Sequence, residues 1–359
     1  MQDNSLWRIY QKILSNPKKW MYYLDAKLSP DLEDIMQNNQ RAFDWIASYF
    51  ARGEKSCLTD ALKPTDHTIH SVSTFLLGIQ LQHLFGVEKC YKSKWLYYWF
   101  LVCLYHDAGY YVENKKDQYP LSTTLDLLCT RLGVTHNQKN HLLNQLPIFR
   151  SDSVHIDRQL VERYYDYCRT QLNENSFLNH GIVSGILLYD RLVTKLHEVL
   201  GGLNHRRYRN RVWDRKDETK FALIAESIIH HHIWAVTDQQ KYDAYENAGL
   251  GTLCIDENHR LWYSNPLTNL LLFCDSIEPV KNAKLNNSLS PKEILENIFV
   301  SHSNKERTIT IHINENNPSL MEWISYIDNT VNLDSWFCID SYKTNDNSIK
   351  YQLIKNYLL

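Results

Sequence analysis

The sequence predicts a mainly α-helical protein, with an all-helical core and a small α+β appendage at its C-terminal end. Three observations carry this. Glycine and proline are scarce, 11 and 9 in 359 residues, so few positions break a helix. Apolar residues recur at helical spacing: Val72, Phe75, Leu76 and Ile79 fall at i, i+3, i+4 and i+7, and Ile182, Ile186, Tyr189, Val193, Leu196 and Leu200 form a longer stripe. Beyond Pro279 the period changes, and Thr308-Ile-Thr-Ile-His-Ile alternates as a strand does.

Taken in order, residues 1–60 read as helices over Leu6–Leu14, Trp20–Leu28 and Leu32–Phe50. Pro64 marks a loop before the helix of Val72 to Ile79. Trp95–Tyr105 is an unbroken apolar run that ends at His106-Asp107-Ala-Gly, with Gly109 as a stop. Residues 110–176 read as a polar insertion of two or three helices. The stripe from Ile182 stops at Gly201-Gly202, residues 204–220 are a polar, basic connection, and Phe221–His232 is again helical. Asn265 before Pro266 is a capping residue ahead of proline at the first helical position, leading into Leu267–Ile277. In the tail, Leu320–Val331 reads as a helix, and Trp336–Asp340 and Lys350–Ile354 as strands. The expected domains are an N-terminal helical segment (1–60), a main helical domain (61–285, with the insertion at about 110–176) and a small α+β subdomain (286–359).

Composition excludes several classes. With 43% apolar and 22% charged residues the chain is globular rather than disordered. A net charge of -2 argues against a nucleic-acid coat protein, although a local basic patch stays open. The longest apolar run has eleven residues, against about 18 for a membrane helix, so a buried core helix is expected and no membrane partner. The opening Met-Gln-Asp-Asn-Ser-Leu-Trp lacks the charged and apolar regions of a signal peptide. Eight cysteines are scattered without a C-x-x-C, which disfavours a zinc knuckle or a disulfide framework and, as free thiols, points to the cytoplasm.

The chemistry-bearing residues sit at helix ends or on helix faces: His70, His106-Asp107, His180, His230-His231-His232 and Asp275. Each alone has an ordinary reading as a cap or a core hydrogen-bonding residue. Asp275 is the hardest to read that way, because a carboxylate in an apolar helix carries a large desolvation cost unless paired or metal-bound. The conjunction is stronger than any member.

The order His, His-Asp, His, His, Asp resembles the HD superfamily of metal-dependent phosphohydrolases. The local contexts are His67-Thr-Ile-His70-Ser-Val, Leu104-Tyr-His106-Asp107-Ala-Gly109-Tyr, Asn179-His180-Gly181-Ile-Val-Ser-Gly185, Ser227-Ile-Ile-His230-His231-His232 and Leu272-Phe-Cys-Asp275-Ser-Ile-Glu278-Pro279. The last resembles the closing helix of bacterial dinucleoside-polyphosphate hydrolases. The likeness covers roughly residues 65–282. It implies an all-helical HD core and two divalent transition-metal ions (Fe, Mn, Ni or Zn). His70, His106, Asp107 and Asp275 would hold one, with Asp107 bridging, and His180 and His231 the other. His230 and His232 stay open as alternatives. His106 and Asp107 are then the catalytic doublet, and the substrate is a nucleotide or another phosphorylated small molecule. Many members carry Lys where this chain has Tyr110, and the Gly-Tyr-Pro run of cyclic-dinucleotide phosphodiesterases is replaced by Ile233-Trp234-Ala235. The resemblance also leaves a diiron oxygenase and a non-catalytic metal- and nucleotide-binding module open.

The only dense basic run is Arg206, Arg207, Arg209, Arg211, Arg215 and Lys216. Arginine binds phosphate oxygens bidentately, so Arg207 or Arg211 is expected to touch substrate phosphate. Antiparallel ligand helices would place this run at their far end, and a remote basic surface is equally open. Oligomeric state is not legible.

Overall fold

The computed structural model describes residues 66–91, 95–113, 123–146, 156–170, 179–208, 211–236, 238–254, 263–279, 291–314, 317–328, 338–345 and 347–354, with single positions 289 and 333. The helices read in residues 1–60 lie outside this set. Among the described residues the protein is mainly α, with two small antiparallel sheets. None of the described helices is long and apolar enough to cross a membrane. The described cysteines are all free thiols.

The described residues form two compact units. One takes 66–103 and 269–354; the other takes 104–268. The α+β segment read as 286–359 therefore shares its unit with the first helices of the expected main domain.

In the first unit, α1 (Asp66–Leu81) is followed by α2 (Val87–Tyr91) and by α3 (Trp95–Tyr105) as far as Cys103. Trp99 locks α3 to α1. Its indole N–H donates to the Phe75 carbonyl at 2.9 Å, and its ring fills the space that the missing side chain of Gly78 leaves. Further along the chain come the end of α11 (Pro266–Ile277), α12 (Pro291–Asn297), β3 (Ile298–Ser303), β4 (Thr308–Ile313), α13 (Pro318–Tyr326), β5 (Ile339–Asn345) and β6 (Ser348–Leu353). The sheet has the order β3-β4-β6-β5, antiparallel throughout. Ile309, Ile311 and Ile313 alternate inward on β4, as expected, and pair with a β6 that buries Ile349, Tyr351 and Leu353. An edge-on contact joins this sheet to the helices, Phe273 of α11 lying 5.2 Å from Tyr351, and Phe273 also lies 5.5 Å from Phe85 in a tilted contact.

The second unit contains α4 (Tyr110–Glu113), α5 (Leu125–Arg131), α6 (His136–Gln145), α7 (Arg158–Thr170), α8 (His180–Leu200), β1 (His205–Tyr208), β2 (Arg211–Asp214), α9 (Asp217–His230) and α10 (Gln239–Asn247). The insertion is helical, as the sequence indicates, and is pinned internally. Thr124, Thr135 and Asp157 cap the starts of α5, α6 and α7. Lys139 of α6 is almost wholly buried between Asp126 of α5 and Glu162 of α7. Such an ammonium is tolerated only because both carboxylates meet it.

One expectation is corrected here. Residues 204–220 are not a plain connection, and the body is not all-helical. Residues 205–208 and 211–214 pair as an antiparallel hairpin, with Trp213 turned inward opposite Arg206. High charge hid the strand pattern, in which one buried aromatic is enough to fix the register.

α8 and α9 pack antiparallel at backbone contact. A Cβ on Gly185 would stand 2.5 Å from the Ala225 carbonyl oxygen, and one on Gly181 would stand 3.0 Å from that of Ile228. Only glycine admits this approach. Gly185→Ala is expected to lower stability by about 1–3 kcal/mol, read as a drop in Tm in a thermal melt. An unchanged Tm would show that the two helices separate freely.

Candidate metal centre

The antiparallel packing brings the first residue of α8 to the end of α9. Asn179 caps α8, accepting the Ile182 N–H at 3.0 Å, and its amide donates to the His232 carbonyl at 3.5 Å. His180 and the histidine run therefore meet. Asn265 donates to the Leu223 carbonyl and to Ser227 Oγ, both at 2.9 Å, which ties the capping segment of α11 to α9.

Asp107 arrives from the turn after α3. Gly109 allows this, since a Cβ there would stand 2.2 Å from the His180 carbonyl oxygen. The Gly109 N–H donates to Ser184 Oγ at 2.7 Å, which fixes the doublet against the first turn of α8. Asp107 Oδ1 then lies 3.2 Å from His180 Nε2. Single ligand atoms of Asp107, His180 and His231 all lie within 4.8 Å of one another. The two histidines are buried, and Asp107 is nearly so.

The tautomer of His231 is set by its backbone. Its Nδ1–H donates to the Ile228 carbonyl, which leaves Nε2 as the ligand nitrogen. Of the triplet, His231 is the member whose ring nitrogen gathers with Asp107 and His180. His230 turns elsewhere, stacked on Tyr263 at 5.2 Å and 3.7 Å from Glu226, and its burial pulls its pKa down to about 3. His232 packs its ring 4.0 Å from that of His180. His106 is fully buried, with Nε2 3.4 Å from Asp107 Oδ2 and its ring 5.4 Å from His231.

In the other unit, His70 and Asp275 also meet: His70 Nε2 is 3.0 Å from Asp275 Oδ1. Glu278 lies on the opposite side of the ring, its Oε2 2.7 Å from His70 Nδ1. The sequence reading quoted Glu278 but gave it no role. Glu278 stands just past the last residue of α11, and the contact to His70 spans 208 residues of chain. Tyr110 stacks on His180 with ring centroids 3.8 Å apart.

The structure does not bring Arg207 to this group, and Arg211 follows it in the same hairpin. They lie in the hairpin that follows the C-terminal end of α8, whereas His180 opens that helix. A helix of 21 residues spans about 30 Å. A four-residue strand returns only about 13 Å of that.

One carboxylate and two imidazoles, with one ring orientation fixed by a backbone carbonyl, form a group that could hold a metal ion. Comparison with known proteins adds no relative: no family model, no curated protein and no solved structure matches the chain.

Glu226 offers a test of burial on α9. Desolvation pushes its pKa well above the usual glutamate range, against the opposing pull of the Asn265 amide. The folded protein therefore holds this proton where the unfolded chain releases it, and stability falls as pH rises through the range between the two pKa values. Glu226→Gln removes that slope. The variant is expected to melt above the wild type at pH 7, with a gap that widens as pH rises beyond the ordinary glutamate range. Parallel Tm–pH curves would refute it.

Proposed function

We propose that the chain is an HD-type, metal-dependent phosphohydrolase that cleaves a phosphoester or phosphoanhydride of a nucleotide. One observation carries this reading: Asp107, His180 and His231 converge their ligand atoms within 4.8 Å. They come from the points in the chain where the HD pattern has its doublet, its His-Gly helix start and its later histidine. In this reading His70 and Asp275 carry a second divalent ion, and His106 keeps the ligand role that the resemblance gives it.

Bound divalent ions at such ligands acidify a water to a nucleophile and draw charge from a phosphoryl oxygen. The chain's own residues do the rest. Asp107 supplies the anionic ligand, and Gly109 and Ser184 hold its backbone. His231 keeps Nε2 inward because the Ile228 carbonyl occupies its Nδ1–H. Tyr110 covers one face of His180 and keeps water from it. That position offers a phenol where other members offer an ammonium, so a role borrowed from the family's lysine does not pass to this chain.

The test is elemental analysis of the purified protein, with a nucleotide-panel assay for phosphate or nucleotide products under air and under nitrogen. The wild type is expected to retain divalent metal and to turn over equally with or without oxygen. Asp107→Ala should lose at least one metal equivalent and all hydrolysis. Full metal retention in that variant would refute the assignment of Asp107. Oxygen-dependent turnover would favour the oxygenase, and metal without turnover a binding module.

A further inference from the structure

The carboxylate of Glu278 is fully buried, and it meets one specific atom. Its Oε2 is 2.7 Å from His70 Nδ1, while the other ring nitrogen, Nε2, is 3.0 Å from Asp275 Oδ1. A cation on Nε2 would sit about 2.0–2.1 Å beyond that nitrogen, on the side away from Glu278. Glu278 is therefore placed to accept from the ligand ring and not to bind the ion itself. An imidazole flips and changes tautomer freely unless its second nitrogen is engaged, and a carboxylate on that nitrogen also raises the basicity of the first.

We propose that Glu278 is a positioning residue for His70. Its carboxylate accepts the Nδ1–H, holds the ring with Nε2 toward Asp275, and strengthens the imidazole as a donor to a divalent cation. Resting on the metal reading above, the proposal adds a residue that acts through a ligand. It also predicts that the His70 ligand nitrogen is Nε2. Glu278→Gln keeps the size and an acceptor oxygen but removes the charge. Glu278→Asp keeps the charge on a shorter arm.

The experiment is Co(II) and Zn(II) titration of the full chain against a competing chelator, with His70→Ala identifying the His70-dependent ion. Glu278→Gln should weaken that ion by 10–100-fold, about the effect of removing such a partner. Metal held through Asp107, His180 and His231 should be unchanged, and Glu278→Asp should recover part of the loss. Nitrogen-15 NMR of the wild-type zinc form should show His70 protonated on Nδ1 and metallated on Nε2, a readout that stands even where a variant fails to fold. Wild-type affinity in Glu278→Gln, or metal on Nδ1, would overturn the role of Glu278 alone. A wild type without any His70-dependent ion would overturn the metal reading itself.

Discussion

The backbone contact between α8 and α9 is the constraint on which the histidine cluster depends. Gly181 and Gly185 lie one helical turn apart on one face of α8, and both meet carbonyl oxygens of α9. A side chain at either position would press on α9 and shift the spacing that sets His180 beside His231. Because the helices run antiparallel, the start of one and the end of the other fall together. Their macrodipoles oppose there, positive from α8 and negative from α9, so neither helix end dominates the field. The carboxylate among the clustered groups is that of Asp107, met by His106 and His180, and its backbone is placed by Gly109 and Ser184.

Burial of these groups is expensive, and the fold offsets the cost with fixed partners. The two anchored rings show two solutions. His231 gives its Nδ1–H to a carbonyl three residues back on its own helix, which orients the ring at no cost in buried charge. His70 is met at Nδ1 by the buried carboxylate of Glu278, which orients the ring and adds negative charge behind it. A neutral acceptor sets direction only, whereas a charged one also sets donor strength. Lys139 follows the same economy away from the site, buried only between Asp126 and Glu162.

The long periodic elements were legible in the sequence. The apolar run at 95–105, the stripe from Ile182 and the Asn265-Pro266 start of α11 all occupy the residues that spacing assigns to them. The length of the connection between their helices allows an antiparallel pair, in which His180 and His231 come together, and α8 and α9 are such a pair. Shorter elements were hidden. β3 has six residues, too few for alternation to separate it from the helix before it. β1 and β2 were masked by arginines, because charge dominates a four-residue window and Trp213 alone carries the burial signal. The role of Glu278 needed a partner 208 residues away, and that pairing is a product of tertiary packing.

The hairpin shows why charge alone does not locate a phosphate clamp. Connectivity decides first: the chain leaves α8 at the end opposite His180, after 21 residues of helix. What could have carried an arginine back is used instead in pairing His205 with Asp214 and Arg206 with Trp213. Arg206 itself turns to the Val199 carbonyl at 3.1 Å, meeting one of the open acceptors at the end of α8. Arg207, the next of the basic run, is exposed on β1, in a hairpin that begins at the end of α8 opposite His180. In the proposed reaction, charge compensation for a phosphoryl group therefore rests first on the buried Asp107, His180 and His231 and what they would hold, since the hairpin leaves α8 at the end away from His180.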